Sequence, residues 1–196
     1  MLRHFFKSSK ANATITRTVY AQIVAQARQS AFYSDFGVPD NLDGRFNMIV
    51  LHNFLLFNRL QAPDSATSAL SQEVFDLFRL DMDRSLRELG VGDTTVPKRM
   101  KTMMQIFYGR ADAYGSALRG SDPQAALADA VSRNILSYND TLFGDGPAAP
   151  FPKVEREAHA ARLAAYVLGS VEGLQQQSET DILAGSLFFP DPTDYI

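Results

Sequence analysis

One segment limits the folds open to this chain more than any other. From Phe46 to Leu60 the sequence reads FNMIVLHNFLLFNRL, and Phe46, Ile49, Val50, Leu51, Phe54, Leu55, Leu56, Phe57 and Leu60 leave a helix almost no polar side. A helix that is apolar nearly all round has to be enclosed by other elements. The segment also contains His52, Asn53, Asn58 and Arg59 and is shorter than the ~20 residues that span a bilayer. It therefore predicts a buried central helix, about Arg45 to Leu60, and not a membrane span. Its one polar stripe is Arg45, His52 and Arg59, spaced by seven.

The rest of the chain supplies what can enclose it. Apolar residues recur at helical spacing nearly everywhere, with no alternating strand pattern. A first helix is expected over about Thr14 to Ala31, with Val19, Ile23 and Ala27 on one stripe, followed by the breaker-rich loop YSDFGVPDNLDG. A third helix, about Ser68 to Leu89, carries Leu70, Val74, Leu77, Phe78, Met82, Leu86 and Leu89, and Gly90 is its expected left-handed cap. The fourth runs from about Thr95, with Pro97 in its first turn, to Arg119. The fifth follows Ser121, Asp122 and Pro123 and runs to about Leu136. After the loop SYNDTLFGDGPAAPFP, the sixth runs from about Lys153 to Gln177.

The expected fold is all-α, a single domain of about six helices around the buried second one. The third and fourth helices, joined through GVGDTTVP, should form an antiparallel hairpin. Residues 1–40 are expected to be a basic N-terminal segment and first helix of the same domain, and 41–177 its helical body. Residues 178–196 should be an acidic tail, with a short helical piece near Asp181 and with Phe188, Phe189 and the prolines laid back on the body.

Composition closes several routes to chemistry. The chain of 196 residues has no cysteine, so disulfides, thiol nucleophiles, thiolate zinc sites and iron–sulfur clusters are excluded. The net charge of −3 names no partner, but its distribution is uneven. Arg3, Lys7, Lys10, Arg17 and Arg28 precede the first acid, Asp35. With Leu2, Phe5 and Phe6, this end fits either contact with an anionic lipid surface or RNA, or a frayed, solvated terminus. The opening MLRHFFKSSK lacks the apolar stretch of ~7–15 residues of a secretory signal.

No HExxH, GxSxG, Walker or dinucleotide-binding pattern occurs. Of three histidines only His52 lies in a strongly structured place. A lone His on an apolar helix reads first as a core residue bonded to backbone or a carboxylate. The alternative is a small-ligand-binding protein or enzyme with a pocket around His52. No catalytic residue, metal ligand or cofactor is assigned.

In LDMDRSLRELGVGD, Asp83 and Arg87 are four apart with the acid first, the favourable order, and Arg84 and Glu88 are also four apart. These read as surface ion pairs, and Asp81 with Asp83 is a poor metal pair. Lys98, Arg99 and Lys101 crowd the first turns of the fourth helix, where the dipole prefers anions. That fits either an anion or acidic-partner site or a solvated basic turn. Met100, Met103, Phe107, Ala111, Tyr114 and Leu118 form one stripe of this helix and Gly109, Ala113 and Ala117 a second, small one. Gly109 and Gly115 each cost roughly 1 kcal/mol against alanine. A closely approaching backbone, or a groove for a partner helix, would explain them.

Five words occur in order over about Phe46 to Leu136: LHNFLLFNRL, DMDRSLRELGVGD, VPKRMKTM, FYGRADAY and the pair Arg133–Asn134. In these the chain resembles the ubiquinol–cytochrome c chaperone family. The resemblance implies a non-enzymatic assembly factor, similar to a mitochondrial chaperone that binds newly made cytochrome b near the ribosome exit and inner membrane. Such a factor supports assembly of ubiquinol–cytochrome c reductase and works with a small partner subunit. It implies as partners cytochrome b or another hydrophobic membrane-protein client, with ribosome or membrane-surface contact and no DNA. Without a long targeting segment this copy looks bacterial. Its expected place is the cytoplasm, peripheral on the inner face of the membrane, or the matrix side in a eukaryote. The candidate contact surface carried over by the resemblance is Arg84, Arg87, Asp93, Lys98, Lys101, Tyr108, Arg110 and Tyr114, to which the basic turn adds Arg99.

Overall fold

The computed structural model describes residues 2–61, 65–137, 142–143 and 152–196, with side chains from residue 12 onward except at 65; no strand occurs among them. Helix α1, Leu2–Ala27, starts earlier than its apolar stripe predicts. No glycine or proline interrupts the backbone between its ends. The side chains of the basic leading stretch up to residue 11 lie outside the described residues. The helix predicted to reach Ala31 instead breaks at Arg28 and Gln29, and α2, Ser30–Ser34, follows. The break turns Phe32 and Phe36 inward to Tyr166.

Helix α3, Leu42–Arg59, is capped by Asn41, whose side chain accepts from the Gly44 amide at 2.8 Å. Helix α4, Ser65–Glu88, ends as predicted at Gly90, which has φ +79°. The amides of Gly90 and Val91 reach back to the Arg87 and Leu86 carbonyls, closing a Schellman turn. Helix α5, Val96–Leu118, carries Pro97 in its first turn. Helix α6, Pro123–Val131, is capped by Asp122 and runs into a π turn, Ser132–Leu136. Helix α7, Lys153–Gln176, the short α8, Glu179–Leu183, and a 3₁₀ turn, Pro192–Tyr195, are the last of the described elements.

The predicted central helix is α3. Every residue from Phe46 to Leu56 is buried, and α1, α4, α5, α7 and the π turn all pack on it. One side of α3 meets an aromatic cluster in which Phe46 and Phe78 stack and Phe57 meets Phe75 and Phe107. The opposite side meets Phe32, Tyr166 and Phe189 around His52. Helices α4 and α5 form the predicted antiparallel hairpin: Phe75 lies 5.3 Å from Phe107, while Asp83, farther along α4, shares a groove with Pro97 at the start of α5.

The last segment is held by side chains of the body. Gln177 accepts from the Phe188 amide and donates to its carbonyl, Gln22 accepts from the Leu187 amide, and Gln26 donates to the Pro190 carbonyl.

Candidate docking surface

His52 is a core residue. Its ring is fully buried, with Nδ1 2.8 Å from the Met48 carbonyl and Nε2 2.8 Å from the Tyr166 hydroxyl. A carbonyl only accepts, so Nδ1 carries the proton and Nε2 accepts from Tyr166. Gln26 in turn donates to Tyr166 at 3.0 Å. Burial outweighs the bond to Met48 and lowers the His52 pKa to about 4. The ring is thus neutral, bonded at both nitrogens and walled by Phe32, Tyr166 and Phe189. Both ring nitrogens are therefore engaged inside the core, the setting expected of a core histidine.

Arg59, from the same polar stripe, caps the end of α7. It donates to the carbonyls of Leu174 and Gln177 and pairs with Glu179 at 3.0 Å. Arg45, the third member, is exposed and paired with Asp40 at 2.8 Å.

The sequence-derived contact residues divide into struts and surface. Tyr114 is fully buried and Arg110 nearly so, which corrects their assignment to a contact surface. Arg110 donates to Asn47 on α3 and lies 5.8 Å from the Phe46 ring centre. Asn47 also donates to the Asn134 carbonyl at 3.2 Å. Arg99 turns toward the body and donates to the Leu142 carbonyl, while Asp43 accepts from the Leu142 amide at 2.8 Å, so both hold Leu142. The predicted pairs form: Arg84 with Glu88 at 2.8 Å and Arg87 with Asp83 at 2.7 Å. Arg87 also pairs with Asp93 and so braces the α4–α5 turn. Asp81 accepts from Tyr20 of α1 at 2.8 Å.

Lys98, Lys101 and Tyr108 remain outward on α5. Neither lysine side chain has a hydrogen bond or ion pair among the described residues. The two glycines of α5 are not explained by a close backbone. At Gly109 an added Cβ would meet nothing within 4 Å, and at Gly115 it would meet side chains of Arg119 and Phe54.

Between the hairpin helices lies a groove of about 790 Å³, lined by Asp76, Arg79, Leu80 and Asp83 of α4 and by Pro97, Met100, Lys101 and Met104 of α5. Leu80 is 67% exposed and Tyr108, one turn beyond Met104, is 59% exposed. Sequence reasoning missed Leu80 and Met104. The available signal was an apolar residue off the core stripe of α4, with a methionine opposite.

The comparisons with known proteins agree on a family. The sequence model described as Ubiquinol-cytochrome C chaperone matches residues 34–189. This chain belongs to that family. It is similar to the crystal structure of a Cbp3 homolog from Brucella abortus, with TM-score 0.82 and 43% identity, over 98% of this chain and 97% of that one. It is also 23% identical over 119 residues to ubiquinol-cytochrome-c reductase complex assembly factor 1 of Xenopus laevis, a match covering 61% of this chain. The matched region spans 58% of that relative's length.

Placed on the structure, the family words are partly scaffold. FYGR and the Arg133–Asn134 pair meet at Asn47 of the buried helix, and LRE with GVGD builds the hairpin turn. What this family member leaves exposed is the hairpin's outer face, with Leu80, Lys98, Lys101 and Tyr108. No helix among the described residues is long and apolar enough to cross a membrane. Nor do the described residues include a group of His and acidic side chains that could hold a metal ion.

Proposed function

We propose that this chain is a non-enzymatic assembly chaperone that binds newly made cytochrome b and supports assembly of ubiquinol–cytochrome c reductase. The family match over residues 34–189 carries the reading. The similarity to the Xenopus laevis assembly factor of the reductase complex supports it. The physical task is to cover apolar client surface that water would otherwise drive to aggregate. The α4–α5 face suits that task with exposed apolar side chains beside two cations that steer the encounter.

The chain works as a peripheral protein on the side of the membrane where the client is synthesised, with a small partner subunit. Its basic leading stretch contacts the ribosome or the anionic membrane surface, a contact that should weaken steeply with salt.

The test is genetic and biochemical. Deleting the gene should lower assembled ubiquinol–cytochrome c reductase, and the wild-type chain should restore it. Affinity capture of newly made cytochrome b should fall with Lys98→Ala/Lys101→Ala. A deletion strain with a normal reductase level would overturn the reading.

A further inference from the structure

We propose that the α4–α5 groove takes an amphipathic helix of the client, apolar on the face it inserts and acidic along the edge that meets α5. This rests on the assembly-chaperone reading and names the kind of client segment recognised.

The floor of the groove selects an apolar insert. Leu80 projects from α4 away from the stripe that α4 turns to the core, and Pro97, Met100 and Met104 face it across the groove. Methionine is flexible and polarizable, so such a wall adapts to differing apolar side chains. Pro97, Lys101, Met104 and Tyr108 follow one another at helical steps. They extend the face over about 17 Å of α5, room for about three turns of a guest helix.

The rim decides the guest's charge. On the α4 side Asp76 is paired with Arg79 at 3.5 Å and Asp83 with Arg87 at 2.7 Å, so those carboxylates are already answered. On the α5 side Lys98 and Lys101 are exposed and unpaired among the described residues. The net unanswered charge is therefore positive and sits on one edge. A wholly apolar membrane span laid here would strip water from two ammonium groups and return nothing to them. An acidic row on the guest gives them partners. The concavity of the site argues against a lipid surface, which a protein meets with projecting side chains and not with the floor of a groove.

Site-specific photo-crosslinking of the full chain in cells tests this. Leu80→p-benzoylphenylalanine places the probe in the groove, and Val154→p-benzoylphenylalanine, at a residue 77% exposed on α7, is the control. The position 80 adduct should map to one segment of a reductase subunit with apolar residues at i, i+3 or i+4 and i+7 and with acids beside them. Lys98→Glu/Lys101→Glu should reduce that adduct about tenfold with an unchanged thermal midpoint. An adduct with lipid, with a second copy of this chain or with a wholly apolar span would overturn the assignment. So would a yield no higher than at position 154, or one indifferent to the charge reversal. Reductase levels in the deletion strain separate the two ideas. If they fall while position 80 captures nothing, the groove assignment fails and the chaperone reading stands. If they stay normal, the chaperone reading itself fails.

Discussion

His52 shows what a single residue discloses in sequence and what it withholds. Its place among apolar neighbours on a helix pointed to a core histidine, because one ring without nearby ligands has no chemistry of its own. Its partner Tyr166 was not legible, since nothing local in the chain says that α7 will cross α3 at that point. The same holds for Arg110, which the family resemblance carried over as a contact residue. Its bond to Asn47 exists only after α5 packs on α3. The buried ring has a pH consequence with a definite sign. In the fold its pKa lies near 4, against about 6.5 in the unfolded chain. Above about pH 6.5 the ring is neutral in both states and adds no pH dependence. As pH falls from there to 4, the unfolded chain takes the proton and the fold does not, so about 3 kcal/mol of stability is lost. Urea unfolding across that range should show a steeper loss for wild type than for His52→Gln, which starts less stable and lacks this contribution. Equal slopes would show that the ring is not held neutral.

Helix α5 separates two kinds of legibility. Its core stripe was readable, and Met103, Phe107 and Tyr114 are all buried. The boundaries were readable to within a turn, because Pro97 sits in the first turn and Gly120 directly follows Arg119. The purpose of its small residues was not. The glycines suggested either a close neighbouring backbone or a groove for a partner helix, and spacing along one helix cannot say whether anything lies opposite. Gly109 faces open space, so its cost is not offset by any contact among the described residues. Gly109→Ala should therefore stabilise the protein by about 1 kcal/mol and raise its thermal midpoint by roughly 2–4 °C. Scanning calorimetry of the two proteins decides it. A lowered midpoint would mean that the position is occupied by a neighbour absent from the packing around α5.

The whole chain was legible as one helical domain because a helix apolar all round admits few other solutions, and α3 is enclosed as that argument requires. The attachment of the last segment was less legible. Phe188, Phe189 and the prolines suggested a return to the body; Phe188 instead stays 66% exposed, and the landing place of the others was not readable. That place is the His52 side of α3: Phe189 lies 5.1 Å from the His52 ring and Tyr195 lies 5.7 Å from Tyr166. Gly169 makes the second contact possible, since a Cβ there would sit 1.9 Å from the Tyr195 hydroxyl. Leu187 and Pro192 are buried in the same seam, and Gln22, Gln26 and Gln177 bond its backbone. Because these contacts reach α1, α3 and α7 together, removing residues 187–196 should weaken the entire fold and not merely fray one end. Losing one buried leucine, two aromatic contacts and several hydrogen bonds to backbone amounts to roughly 3–5 kcal/mol. The truncated chain should still unfold in one transition, at a clearly lower urea midpoint, and bind a hydrophobic dye through the uncovered Tyr166 and His52. Gly169→Ala should move in the same direction by a smaller step, because it ejects Tyr195 alone. A truncation that leaves the midpoint unchanged would show that the aromatic half of the core is complete without its last segment.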